Sequence, residues 1–410
     1  MTSKSPTASS GLASLANGVV LSPFTQLRRL LGTTPSGHAD PIDLTIGEPR
    51  EAMPAFVVDK LIEAASSYAN YPPIRGTAEL CNAISAWAGR RYGAAAALDA
   101  EREVLPINGS REGLFLAALP AAGRKPVRGK PAILMCNPYY SAYIGGALAA
   151  DAEAVFLNAT EASGHLPDLD ALATDTALLE RTVALYLCSP ANPQGAVAGA
   201  AYIARALQLA RDYDFMLFFD ECYSEIYTDR PPTGALQVAA ATPERFANLV
   251  VFNSLSKRSN LPGLRSGFCA GDQRFIGTFA EIRNMVAPQV PGPTQHASAA
   301  VWADEAHVEA NRAAYRAKFD VCDRVLGNAY GYRRPAGGFF LWLDVSKFGG
   351  AGEATVTLWQ RAGVKVLPGA SLAQAGRDGT NPGANYLRLA LVRDPATVRE
   401  ALERLVSVLA

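Results

Sequence analysis

Long apolar runs are missing from this chain of 410 residues: no stretch reaches the roughly 20 apolar residues that a membrane helix needs. Cysteine is sparse and scattered. The six cysteines, Cys81, Cys136, Cys188, Cys222, Cys269 and Cys322, form no C-x-x-C pair, which excludes a zinc ribbon or a disulfide frame and predicts small buried apolar residues in a reducing compartment. The four histidines, His38, His165, His296 and His307, show no ligand spacing, so no metal is expected. Neither sign of charge is in excess, with 38 basic and 38 acidic residues, and no global field favours nucleic acid or an acidic membrane. Internal repeats and long low-complexity segments are also absent. The start, Met1 to Gly18, is rich in serine and alanine with one lysine and no apolar core. It fits neither a signal peptide nor a membrane span, and a cytoplasmic chain with a loose N-terminal arm is expected.

What is present is apolar material for real cores, 49% of the residues, in a chain long for one domain and comfortable for two. From Val104 onward the chain alternates short apolar runs with helical stretches. Strands are predicted at Val104–Ile107, Ala132–Cys136, Ala154–Leu157, Val183–Cys188, Phe215–Phe219 and Leu249–Phe252, with a further apolar run at Phe268–Ala270. Near-continuous apolar strands separated by helices predict a mainly parallel α/β sheet covered on both faces. A long helical stretch from Thr294 to Leu326 leads to a different rhythm after Tyr332, read as a smaller α+β domain. The expected division is an N-terminal arm and part of the small domain in 1–45, a large domain in 46–295 and a small C-terminal domain in 296–410.

The loop from Asn253 to Phe268 carries the chemistry. Lys257 stands among the hydroxyls of Ser254, Ser256 and Ser259, with Arg258 and Arg265 close behind. Cationic neighbours and partial burial disfavour an ammonium, which leaves a neutral, nucleophilic amine near pH 7. A neutral amine condenses with an aldehyde, while Arg265, Ser254 and Ser256 are donor types suited to a phosphate monoester. Pyridoxal phosphate has both groups. Taken alone, the string also fits a solvated basic loop or a phosphate or nucleic-acid contact. Elsewhere Asn108-Gly109-Ser110 turns a strand into a helix, an arrangement of free amides that suits an anion or serves as an ordinary cap. Asn192, Asp220 and Lys257 all fall just beyond strand ends, where ligands gather in parallel sheets.

On these residues the chain resembles the fold-type I, class I/II aminotransferases that use pyridoxal phosphate, over nearly its whole length from Asp43. The resemblance implies a large domain with a mainly parallel seven-stranded-type sheet plus a smaller α+β domain. It implies Lys257 as the Schiff-base lysine, Asp220 as partner of the ring nitrogen, and Asn192 and Tyr223 at the ring oxygen. It places Gly109, the Ser110 and Arg111 amides, Ser254, Ser256 and Arg265 at the phosphate, and Tyr140 on the ring face. Tyr71 matches a tyrosine that reaches a neighbouring subunit's phosphate, which implies a homodimer with composite sites. Arg388 and Gly47, with Asn192, match the substrate's α-carboxylate site. A narrower resemblance is to N-succinyl-diaminopimelate aminotransferases of lysine biosynthesis, carried by Asn108–Glu112, Asp220–Tyr227, Ser254–Asn260, Gly263–Phe268 and Asp304–Val308. Two departures are Gly113, where that branch has alanine and a weaker helix is expected, and Arg50-Glu51-Ala52-Met53 after Gly-Glu-Pro. Arg50, Arg75, Arg111 and Arg258 are candidates for a distal substrate carboxylate, with Arg50 and Arg258 favoured. The alternatives are a broad aspartate, aromatic or kynurenine-type aminotransferase and a pyridoxal-phosphate-dependent β-lyase.

Overall fold

The computed structural model describes residues 21–410; the loose arm expected before them lies outside these residues. Their strands, in chain order, are β1 (Ile42–Asp43), β2 (Val104–Ile107), β3 (Ala132–Asn137), β4 (Glu153–Asn158), β5 (Thr182–Cys188), β6 (Met216–Asp220), β7 (Leu249–Ser254), β8 (Gly267–Gly271), β9 (Phe340–Asp344), β10 (Val364–Lys365), β11 (Leu367–Pro368) and β12 (Tyr386–Ala390). Seven of them build one sheet in the order β2-β8-β7-β6-β5-β3-β4. β8 runs antiparallel to both of its neighbours, and every other pair in this sheet is parallel. Every residue of β5, β6 and β7 is buried, as expected of strands covered on both faces. Pro106, which has no N–H to give to a ladder, sits in the edge strand β2.

Two apolar cores line the faces of this sheet. One takes Ile84 and Trp87 from helix Ala78–Tyr92, Ile203 and Leu207 from Ala200–Asp212, and Trp302 from Gly292–Ala303. The other takes Leu114, Tyr143, Phe275 and Phe279. Gly113 is buried here, and a Cβ on it would lie 2.5 Å from the Ile107 side chain. The missing methyl lets its helix approach β2 closely. The weaker helix expected at Gly113 is thus accompanied by a packing gain.

A second unit joins a three-stranded antiparallel sheet, β11-β12-β9, to the parallel pair β1-β10 and the helices Ala306–Leu326, Gly350–Ala362 and Pro395–Val408. Its core mixes Ile42 and Leu44 with Leu343, Leu358, Leu389 and Leu402. The single helical stretch expected at 294–326 is broken into Gly292–Ala303 and Ala306–Leu326 by extended backbone at Asp304. Ala297, Val301 and Trp302 of the first helix pack into the core of the large sheet, so we place the proposed division at Asp304–Glu305, not at 295/296. No helix among the described residues is long and apolar enough to cross a membrane.

Candidate active site

Parallel strands deliver their carboxyl ends to one rim of the sheet. β2 ends there and passes into Asn108-Gly109-Ser110, β5 leads to Asn192, β6 ends in Asp220 and β7 in Ser254, while the reversed β8 begins there just after Arg265. Ser110, Asn192, Asp220, Ser254 and Arg265 border a cleft of about 850 Å³. Ile46, Gly47, Glu48, Phe340 and Arg388 close it from the other side, and Ser22, Pro23 and Phe24 lie at its mouth.

Lys257 lies on the single turn Leu255–Arg258, started by the Ser254 hydroxyl, which accepts the Ser256 N–H at 3.1 Å. Its amine donates to the Gly47 carbonyl and stands 5.5 Å from the centre of the Phe339 ring. Burial pushes this amine down to about 8, and the positive charges of Arg388 and Arg111 act in the same direction. Arg388 and Arg111 are thus cationic neighbours not expected from the sequence, beside Arg265, which lines the same cleft. Arg258 points away: its buried guanidinium pairs with Glu305 at 2.8 Å and donates to the carbonyls of Val301 (2.9 Å) and Asp304 (3.1 Å). A helix end leaves carbonyls without partners, and Arg258 satisfies them at the break. This corrects the preference for Arg258 as donor to a distal carboxylate. Arg75 is spent on the carbonyls of Glu101 and Arg102, and Arg50 is exposed outside the lining of the cleft. Of the four candidates, Arg111 alone lines the cleft, its Nε donating to the Tyr140 hydroxyl at 2.6 Å.

Asp220 is buried in the cleft wall. It accepts the Tyr143 hydroxyl at 2.7 Å and the Cys222 N–H at 3.1 Å. Burial pushes its carboxyl up, while these hydrogen bonds hold it back. Tyr143 went unassigned in the sequence; the signal for it was its position three residues after Tyr140, one turn along the same helical run. Its ring stacks on Tyr186 at 4.7 Å, which fixes the hydroxyl's aim at Asp220.

Arg388 on β12 is buried, with its guanidinium 4.6 Å over the Phe340 ring. Nη2 donates to the Thr45 carbonyl at 2.6 Å and Nη1 to Asn192 Oδ1 at 3.4 Å, while Nε has no partner. Burial draws its pKa down to about 10. No carboxylate among the described residues pairs with it. A buried guanidinium in that state is a ready receptor for a carboxylate brought in by a ligand.

The remaining residues expected at the site separate into two groups. Ser110, Arg111, Tyr140, Tyr223, Ser254, Ser256, Arg265 and Gly47 line the same cleft. Gly109, at φ +81°, leaves room for Arg265, whose Nη2 would lie 2.3 Å from any Cβ there, and Arg265 spans to the Asn108 carbonyl at 2.9 Å. Tyr71 is fully exposed and belongs to no wall of this chain's cleft.

The donor set fits a phosphorylated aromatic aldehyde. An amine of lowered pKa would suit the aldehyde, a buried carboxylate a ring N–H⁺, and hydroxyls with an arginine the phosphate. The cysteines Cys136, Cys188 and Cys222 also line the cleft. Burial raises each of them, so they act as neutral walls.

Comparison with known proteins follows the same direction. The family model described as aminotransferase class I and II matches residues 39–405. The chain is 30% identical over 393 residues to the LL-diaminopimelate aminotransferase of Moorella thermoacetica, covering 94% of this chain and 95% of that one. It is also 30% identical over 372 residues to transaminase BacF of Bacillus subtilis, covering 89% and 88%. Among solved structures, an aminotransferase from Neisseria meningitidis superposes with a TM-score of 0.91 at 37% identity, covering 97% of this chain and all of that one.

Proposed function

Since the chain belongs to the class I and II aminotransferases, enzymes that depend on pyridoxal phosphate, we propose that it moves an amino group between glutamate and a 2-oxo acid bearing a second, distant carboxylate. The substrate pair proposed is N-succinyl-2-amino-6-ketopimelate and its product N-succinyl-LL-2,6-diaminopimelate, a step of lysine biosynthesis. The observation that carries the reaction type is the pairing of one cleft's two contrasting cations: Lys257, whose amine is drawn to about 8, and Arg388, buried with no carboxylate partner among the described residues. The substrate class is supported by relatives named for diaminopimelate over most of their length and by a cleft of about 850 Å³.

Pyridoxal phosphate, when bound, supplies an aldehyde and a ring that withdraws electrons from the substrate's α-carbon. Lys257 Nζ moves the proton at that carbon, since its amine is the base of lowered pKa in the cleft. Asp220 keeps a ring nitrogen protonated, and Tyr143 and the Cys222 amide keep Asp220 aimed. Asn192 and Tyr223 serve the ring oxygen, and Tyr140 covers the ring face. Ser254, Ser256, Arg265, Gly109 and the amides of Ser110 and Arg111 hold the phosphate. Arg388 forks onto the α-carboxylate, beside the backbone of Gly47. Arg111, which lines the cleft, is the donor proposed for the distal carboxylate.

The reading is tested by a donor and acceptor panel. Glutamate should form one half-reaction, and the succinylated oxo acid should be the preferred acceptor. Turnover of unmodified LL-diaminopimelate instead, the second reading favoured by the relatives' names, would discard the succinyl assignment. Activity spread evenly over aspartate and aromatic amino acids would point to the broad aminotransferase.

Full exposure of Tyr71 fits the proposed homodimer with composite sites, in which this residue would serve the neighbouring cleft. Inactive Lys257→Ala chains mixed with inactive Tyr71→Ala chains should then regain up to about one quarter of wild-type activity, because a randomly mixed dimer holds one intact site in half of its members. A fully active monomer by light scattering would end this proposal.

A further inference from the structure

The segment from Thr45 to Met53 has no regular secondary structure and borders the cleft at Ile46, Gly47 and Glu48, and Ile46, Glu48, Arg50, Ala52 and Met53 on it are exposed. Little apolar burial holds it, so its position rests on a few polar fastenings. Four are present. The Thr45 carbonyl accepts from Arg388 Nη2 at 2.6 Å, and the Gly47 carbonyl accepts from Lys257 Nζ. The Ala52 carbonyl accepts from Asn260 at 3.3 Å, and Glu51 pairs with Lys318 at 2.6 Å. The first two use the side chains to which the proposed reaction gives other work. When Arg388 takes a carboxylate and Lys257 serves the cofactor and the substrate proton, their bonds to Thr45 and Gly47 compete with chemistry.

Glu51–Lys318 has no such competitor. Lys318 is 1% exposed, on helix Ala306–Leu326, with its ammonium 4.7 Å from the Tyr315 ring centre. Tyr315 stacks on Phe339, the ring beneath Lys257. A buried ammonium tolerates only a partner of fixed geometry, because its loss would leave the charge desolvated and unpaired. We propose that the Glu51–Lys318 ion pair is a positioning latch that keeps the Gly47 backbone over the cleft while Arg388 and Lys257 change partners. The role rests on the aminotransferase reading of Arg388 and Gly47.

The test uses the cofactor-loaded full chain with Glu51→Gln, which keeps the shape and removes the charge, and Glu51→Asp, which keeps the charge on a shorter arm. KM for glutamate and for 2-oxoglutarate should rise about tenfold in Glu51→Gln and by less in Glu51→Asp, with kcat within about twofold and cofactor retention unchanged. A readout independent of turnover is amide hydrogen exchange. With 2-oxoglutarate bound, the amides of residues 45–53 should exchange at least about fivefold faster in Glu51→Gln than in the unaltered protein. In a double-mutant cycle, Lys318→Met added to Glu51→Gln should worsen KM no further, since the two residues act as a unit. Flat KM and flat exchange in folded, loaded Glu51→Gln overturn the latch alone. Equal falls in kcat and cofactor retention also overturn it, in favour of general stability. Absence of any glutamate turnover in the unaltered protein removes the aminotransferase reading, and the latch's role falls with it.

Discussion

Lys257→Ala is expected to abolish transamination, by more than about 10⁴-fold in kcat, because one substitution removes both the amine that holds the cofactor and the base that moves the α-proton. The cofactor should still be retained in part through the serines and Arg265, so the loss appears as a silent site, not as an empty one. Near-normal turnover by this variant would move the chemistry out of the 253–268 loop. The same amine makes a pH prediction with a definite sign. Burial has drawn its pKa down to about 8, and only the neutral form attacks an aldehyde. Capture of added pyridoxal phosphate by cofactor-free protein should therefore quicken as pH rises and level off above about 8. An ordinary lysine would continue to gain up to about 10.4. Stopped-flow absorbance between pH 6 and 10 separates the two.

Asp220→Ala should cost about 10²–10³-fold in kcat, the scale of losing one preorganised charge at a reacting centre, while cofactor retention falls less. Asp220→Glu keeps the charge but displaces it from Tyr143 and the Cys222 amide, so its loss should be smaller. A buried carboxylate whose acidity is already weakened by desolvation is held in place by those two hydrogen bonds. If Ala and Glu behave alike and lose little, Asp220 only caps the turn into Glu221-Cys222. Steady-state kinetics with glutamate, alongside the visible absorption of the bound cofactor, distinguish these outcomes.

The large sheet was legible because its strands are short, apolar and separated by breakers, and because a strand end is marked locally by residues such as Asn192 and Asp220. Tyr143 was harder to find: its hydroxyl reaches Asp220 across 77 positions of sequence, and a tyrosine in an apolar helix reads first as core. Arg258 misled for the opposite reason. Proximity to Lys257 in sequence suggested a shared cleft, yet one step along a helical turn rotates a side chain by about 100° and sends it into the break at Asp304–Glu305. The division between units was blurred because Gly292–Ala303 and Ala306–Leu326 share helical composition, and only packing tells which core each serves. Gly113 read as a flaw in a helix because its neighbour Ile107 lies on another element.

The parallel pairing of Ile42–Asp43 with Val364–Lys365 dictates an order of assembly in the cell. The partner strand is made some 320 residues later, about 15–65 s at a synthesis rate of roughly 5–20 residues per second. Once Ala303 has been made, the ribosome-bound chain holds all seven strands of the large sheet, with Lys257 and Asp220. It lacks the strand that carries Arg388 and the surface that receives Leu44. Until those later residues are made, Ile42 and Leu44 have no core to enter. The half of the cleft proposed to meet the cofactor can form during translation, whereas the half proposed to recognise the substrate closes only at its end.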